Sequence, residues 1–245
     1  MQKVMTAKQW LIVRLTFAPS LHIIMLCLFF QYSDPTMSNT SGALYVLSAP
    51  SGAGKTSLVK ALLAQDSQIC VSVSHTTRTI RDGEQDGVDY NFVAQQDFAL
   101  LVDQQQMLEY ATVFENSYGT SRQWVESSLA QGKDVILEID WQGRNQVLDI
   151  FPQAIAITIL PPSQQALQHR LQGRGTDSNA VIAKRMAEAH SEISHYSGSH
   201  FLVINDDFQH ALADLQCIFT CRRLKTPQQT HNHHQLLQEL LSTGG

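Results

Sequence analysis

One short stretch limits what this chain can fold into more than any other. Residues 49–56 read A-P-S-G-A-G-K-T, between an apolar run at 43–48 (ALYVLS) and a helical pattern over Lys55–Gln65. In that helix Leu58, Leu62 and Leu63 share one face. The pattern is G-x-x-x-x-G-K-[ST], with Ala49 in the place of the first glycine. A strand, a tight loop and a helix must follow one another here. Gly52 and Gly54 let the backbone curl, so that successive N–H groups converge on phosphate oxygens. The helix start adds its dipole. Lys55 supplies a point charge for the β- and γ-phosphates, and the Thr56 hydroxyl is a ligand for Mg²⁺. Ala49 is tolerable if its φ is negative. Ala49, Pro50, Ser51, Gly52, Ala53, Gly54, Lys55 and Thr56 are therefore expected to hold a nucleoside triphosphate with its Mg²⁺.

The rest of the chain agrees with that start. Apolar runs at 134–140 (DVILEID), 154–160 (AIAITIL) and 201–205 (FLVIN) read as buried strands. Helical patterns occupy 121–131, 163–172, 180–193 and 208–224. Continuous apolar strands separated by helices predict an α/β fold, a parallel sheet flanked by helices. Residues 72–120 are polar and turn-rich and read as an insertion between core elements. Residues 227–245 are rich in Gln and His and read as a final helix or frayed end.

The 245 residues suffice for between one and two domains. A net charge of −5 disfavours a nucleic-acid binder held by bulk charge. The four cysteines, Cys27, Cys70, Cys217 and Cys221, are too scattered for a disulfide scaffold and fit a reducing compartment. Residues 1–41 stand apart. Lys3, Lys8 and Arg14 precede a dense apolar run from Leu21 to Phe30. This could be a signal peptide, yet no A-x-A-like cleavage site follows. It could be a membrane anchor, yet Arg14, Pro19 and His22 interrupt it. The reading taken here is an extension outside the fold, with Met37 as the expected start and a cytoplasmic location. A membrane partner is disfavoured, and oligomeric state is left open.

The insertion holds a second anion site in outline. Arg78 and Arg81 lie three residues apart in a hydroxyl-rich stretch, and guanidinium groups capture phosphate bidentately. Tyr90 and Tyr118 add phenolic donors. Taken alone, the two arginines read better as a solvated loop.

The stretch S-V-S-H-T-T-R-T-x-R-x-G-E-x-x-G-x-D-Y-x-F, residues 72–92, resembles the GMP-binding signature of guanylate kinases. The resemblance continues through Glu109, residues 118–121 (YGTS), 138–143 (EIDWQG), 160–163 (LPPS), 170–175 (RLQGRG) and 204–207 (INDD), over about residues 42 to 226. It is strongest to the bacterial enzymes. It implies a P-loop nucleoside monophosphate kinase that forms GDP and ADP from GMP and ATP, with Mg²⁺. The implied domain is 42–226, with core 42–71, 121–169 and 191–226, GMP-binding insert 72–120 and lid 170–190. Glu109 and Asp140 are implied to face the guanine edge, whose N1–H and N2–H₂ donors adenine lacks. Two buried carboxylates there would be left unpaired by adenine, which gives strong discrimination. Ser74 and Thr120 are implied to serve the O6/N7 side, and Arg78, Arg81, Tyr90 and Tyr118 the GMP phosphate. In the lid, Arg174 and Arg185 would touch the transferring phosphate. Arg170 and Arg144 are weaker candidates, and Asn205 would lie near adenine.

Three positions depart from the family pattern: Ile80 for a proline, Glu138 for an aspartate two residues before Asp140, and Ser117 for a tyrosine. The change at 138 bears on whether that carboxylate orients a metal-bound water. Cys217 and Cys221, four apart, with His231, His233 and His234 beyond, could suggest zinc, but buried thiols and a solvated tail explain them better. His75, His195 and His200 read as ordinary polar groups. Two alternatives to the kinase are a guanylate-kinase-like binding module and a membrane-tethered kinase. The intact Lys55–Thr56 pair argues against the module.

Overall fold

The computed structural model of the chain describes residues 42–113, 115–172 and 179–242. The N-terminal extension, Arg174 and the glycines beside it lie outside the described residues.

Two sheets organise these residues. The first is parallel and five-stranded, in the order β2-β7-β1-β8-β9: β1 (Leu44–Ser48), β2 (Ile69–Val71), β7 (Asp134–Glu138), β8 (Ile155–Leu160) and β9 (Phe201–Ile204). Every residue of β1 is buried, as a central strand covered on both faces requires. One core layer joins Tyr45, Leu47, Ile157 and Ile159 to Leu58 and Leu62 of α1 (Lys55–Gln65) and to Leu215 and Phe219 of α7 (Phe208–Arg223). Tyr45 stacks on Phe219 with ring centroids 3.8 Å apart. The opposite layer joins Leu44, Val46, Val135 and Leu137 to Val125 and Leu129 of α3 (Arg122–Ala130) and Val147 of α4 (Trp141–Ile150). Full burial of one such aliphatic side chain contributes about 1.5–3 kcal/mol.

The second sheet is the insertion. Its order is β4-β3-β6-β5, from β3 (His75–Thr76), β4 (Asn91–Phe92), β5 (Met107–Val113) and β6 (Asn116–Ser121). β5 and β6 form an antiparallel hairpin with Glu109 opposite Thr120. A short helix, α2 (Gln95–Asp103), buries Phe98 beneath it. The polarity of this segment hid both the hairpin and α2 from a reading based on apolar periodicity. β2 and α4 were also missed. α4 begins W-Q-G-R, polar and with a glycine, so it has no apolar stripe in its first turn.

Against the loop that holds Gly52, α5 (Gln164–Gln172) and α6 (Asn179–Ser194) pack through Leu167, Leu171 and Ala189. A single 3₁₀ turn, Tyr196–Gly198, leads to β9. The tail forms α8 (Thr226–Asn232) and α9 (His234–Leu241), and neither buries a residue. No helix among the described residues is long and apolar enough to cross a membrane.

At the amino ends of the strands sits an ion-pair knot. Arg223 Nε donates to Asp134 Oδ2 at 2.7 Å, and its Nη1 donates to Asp66 Oδ2 at 2.6 Å. Asp134 Oδ1 also accepts the Ala43 N–H at 2.8 Å. The carboxyl ends gather the residues of interest, as parallel sheets do where the strand order reverses.

Candidate active site

The loop after β1 has the shape its glycines foretell. Gly52 and Gly54 adopt φ of 91° and 93°. Among the described residues the only others than glycine with positive φ are Gln105 and Glu115, so Ala49 meets the condition set for it. Gly54 is needed for space as well. A Cβ there would lie 2.3 Å from Asn205 Nδ2. That amide donates to Ala53 O at 2.7 Å and is buried. Asn205, expected near adenine, thus braces the phosphate loop from below. Arg170 Nη2 donates in turn to Asn205 O at 2.9 Å, so this arginine also supports the loop. Its Nη1 is buried and finds no partner among the described residues. α1 carries no acidic residue in its first turn, leaving its positive end open to an anion. Arg185, on α6, reaches the loop and donates to Ser51 Oγ at 2.8 Å.

The expected base reader is assembled by the hairpin and by α4. Glu109 is only 4% exposed, and Oε1 accepts the Thr120 hydroxyl at 2.6 Å. The cross-strand register of β5 and β6 dictates this pair. In this structure the Thr120 hydroxyl donates to Glu109 and so supports that carboxylate. Asp140 ends the segment after β7 and caps α4, accepting from Gln142 N and Gly143 N at 3.0 Å each. Its other oxygen takes Gln142 Nε2 at 3.1 Å. Gly143 lies against Glu109: a Cβ on it would fall 2.6 Å from Glu109 Oε2. The sequence signature contains this glycine, but only the structure gives its reason. Burial pushes the Glu109 carboxyl up to about 7; the Thr120 hydroxyl resists, and the charge on Asp140 adds to the rise.

The expected phosphate group of residues converges in part. Arg78 sits over the rings of Tyr90 and Phe92, at 5.4 and 5.7 Å, and lies within hydrogen-bonding reach of Tyr118. Tyr90 and Tyr118 meet edge to face at 6.0 Å. Arg78 Nη2 is held by Glu84 at 2.7 Å, a partner the sequence reading passed over. Arg81 is exposed, and its backbone N–H binds the other Glu84 oxygen at 2.8 Å. Ser74 precedes β3 and accepts the Asn91 N–H through its carbonyl. Ser117, one of the departures, is buried; its N–H donates to the Thr77 hydroxyl at 2.8 Å, and its carbonyl accepts the Thr77 N–H at 3.0 Å.

Arg144 is a correction. It is 2% exposed and donates to His195 O at 2.9 Å, Ser199 Oγ at 3.2 Å and Asn145 Oδ1. A guanidinium so enclosed braces the fold and is not open to phosphate. Two of the histidines make structural contacts: His200 Nδ1 accepts the Ala156 N–H at 3.0 Å, and His195 stacks on Trp141 at 3.7 Å.

As for a divalent cation, Glu138 at the end of β7 has a buried carboxylate oxygen with no hydrogen-bond partner among the described residues. Together with the Thr56 hydroxyl at the start of α1, it offers the hard oxygen donors that Mg²⁺ takes when phosphates supply the rest.

Known proteins of matching sequence and shape exist. The family model for guanylate kinase matches residues 41–221. The guanylate kinase of Saccharophagus degradans is 55% identical over 202 residues, covering 82% of this chain and 98% of that protein. That of Vibrio cholerae is 54% identical over 203 residues, with 82% and 98% covered. The crystal structure of guanylate kinase from Anaplasma phagocytophilum superposes with a TM-score of 0.66 at 30% identity, covering 82% of this chain and 96% of that one.

Proposed function

The chain belongs to the guanylate kinase family, and we propose that the cleft between the phosphate loop and the insertion carries that family's reaction. The enzyme is a nucleoside monophosphate kinase that phosphorylates GMP at the expense of ATP. The residue assignments that follow are part of that proposal. The observation that carries them is the buried Glu109 carboxylate, held by Thr120 and placed against the first turn of α4 beside Asp140.

Glu109 and Asp140 accept the N1–H and N2–H₂ donors of guanine. Ser74 lines the same pocket. Arg78, Arg81, Tyr90 and Tyr118 take the GMP phosphate, which displaces Glu84 from Arg78. Residues 49–56 wrap the ATP phosphates, with Lys55 on the β- and γ-groups and Asn205 fixing the loop. A GMP phosphate oxygen attacks the γ-phosphorus in line, and the bond to the β–γ bridging oxygen breaks to release ADP. No general base is needed, because the attacking oxygen is already anionic. Catalysis rests on positioning and charge. Arg185, and Arg174 outside the described residues, spread positive charge over the migrating group. Mg²⁺ would be held by the Thr56 hydroxyl, with Glu138 beside it, and would neutralise charge on the phosphates. The insert 72–120 supplies the GMP side of the 42–226 domain and the lid 170–190 the arginines of the ATP side. An ATP-consuming reaction supports a cytoplasmic site of action.

The test is a coupled assay for ADP with ATP, Mg²⁺ and either GMP or AMP. Turnover with GMP and none with AMP is expected. Robust phosphorylation of AMP sinks the guanine assignment, and no turnover with either supports the binding-module reading.

A further inference from the structure

The base reader is split between two parts of the molecule. Glu109 belongs to β5, the outer strand of the insertion's sheet, and Asp140 caps α4 beside the parallel sheet. Their spacing therefore depends on how β5 is held against α4. One edge of β5 pairs with β6, and among the described residues no strand pairs with the other. The backbone groups on that free edge need partners of another kind.

Gln146 of α4 supplies them. Its Oε1 accepts the Tyr110 N–H at 3.1 Å, and its Nε2 donates to the Tyr110 carbonyl at 2.8 Å. One side-chain amide thus bonds both backbone groups of one strand residue, as a residue of a neighbouring strand would. Tyr110 directly follows Glu109. The same face of α4 makes the adjoining contacts, at helical spacing. Gly143 leaves room for Glu109 Oε2, and Gln146, three residues on, takes the Tyr110 backbone. Val147 joins Leu108, the residue before Glu109, in the core. The strand is irregular at this point: its register with β6 shifts between Met107 and Glu109. Such a shift re-aims side chains and locally disrupts the ladder, so β6 alone holds Glu109 less firmly than a regular pairing would. The Gln146 amide restrains the strand one residue beyond the shift.

We propose that Gln146 is a positioning residue for guanine recognition: its amide fastens the free edge of β5 to α4 and so keeps Glu109 in register with Asp140. This rests on the reading of Glu109 and Asp140 as guanine acceptors. Gln146 acts through Glu109 and not on the base. Both of its bonds to Tyr110 are neutral and lie at the surface, so their contribution to overall stability is small, and what they supply is geometry.

The test uses the full chain with Gln146→Met, Glu109→Gln and the two combined. Each is assayed with ATP against GMP and against IMP, whose base lacks the 2-amino group. Gln146→Met keeps the length of the side chain and removes both bonds to Tyr110. It should raise KM for GMP about fivefold, the scale of one neutral hydrogen bond. The preference for GMP over IMP should shrink, while kcat and KM for ATP stay within about twofold. In the Glu109→Gln background the same change should add little, because a residue that acts through Glu109 has nothing left to position. Equal losses with GMP and IMP, equal rises in KM for GMP and ATP, or an undiminished effect in the Glu109→Gln background would each overturn the proposal. If Glu109→Gln leaves the GMP preference intact, the guanine reading itself fails and the proposal with it. If Glu109→Gln shrinks that preference and Gln146→Met does not, only the proposal fails. Should Gln146→Met not fold, Gln146→Ala, the best helix former at a half-buried helical position, carries the same comparisons.

Discussion

Single atoms decide the chemistry of this site. Lys55→Ala should lower kcat by at least about a thousandfold while leaving the thermal midpoint within a few degrees, since the residue pins phosphates and no core. Steady-state kinetics beside thermal unfolding measures both. Gly143→Ala is the subtler case. The position is helical, so alanine suits its backbone, but the new methyl would sit 2.6 Å from Glu109 Oε2. Glu109 is buried and tied to Thr120, so it cannot yield without leaving the base pocket. KM for GMP should rise about tenfold or more with KM for ATP unchanged, as read from the two saturation curves. pH acts on the same carboxylate. Guanine donors need it charged, and in the empty site it stays protonated up to about 7. KM for GMP should therefore fall as pH rises from 5.5 to 7.5, and Glu109→Gln should flatten that profile while raising KM throughout.

Elements are where the sequence was most and least legible. The phosphate loop could be read because its constraint is local: Gly52 and Gly54 need positive φ, and both flanks carry plain periodicities. β1, β7, β8 and β9 could be read because strands buried on both faces are apolar throughout. The hairpin of β5 and β6 could not, because β6 is polar throughout and the apolar residues of β5 do not alternate with polar ones. Only the resemblance to guanylate kinases marked Glu109, and nothing in the spacing marked its partner Thr120. Asn205 shows how one residue serves two elements. Replacing it with alanine removes the bond to Ala53 O and leaves a buried carbonyl unpaired, at a cost of about 1–3 kcal/mol. Urea unfolding should show that loss, and KM for ATP should rise together with it because the loop loosens.

At the scale of the whole molecule, the parallel sheet separates two jobs. Its carboxyl ends hold the nucleotides, and its amino ends hold the Arg223 knot that joins α1, β7 and α7. Arg223→Met leaves the carboxylates of Asp66 and Asp134 facing each other without their cation. Breaking such a pair costs about 3–5 kcal/mol when it is well buried, and these groups are only partly so, hence about 1–3 kcal/mol is expected. Denaturant unfolding should report that loss, while kcat and both KM values measured well below the midpoint should match those of the parent. The carboxyls of Glu109 and Glu192 push the other way with pH. Both ionise more readily once unfolded, so their contribution to stability is greatest at and below about pH 4.5 and is lost as pH rises towards 7. The separation of the two ends has a genetic meaning. A lesion in the knot spares the catalyst and weakens only its persistence, so a strain dependent on the Arg223→Met enzyme should grow normally when cool. On warming it should lose its GDP and GTP pools as the protein disappears, with the Michaelis constants of the surviving enzyme unaltered.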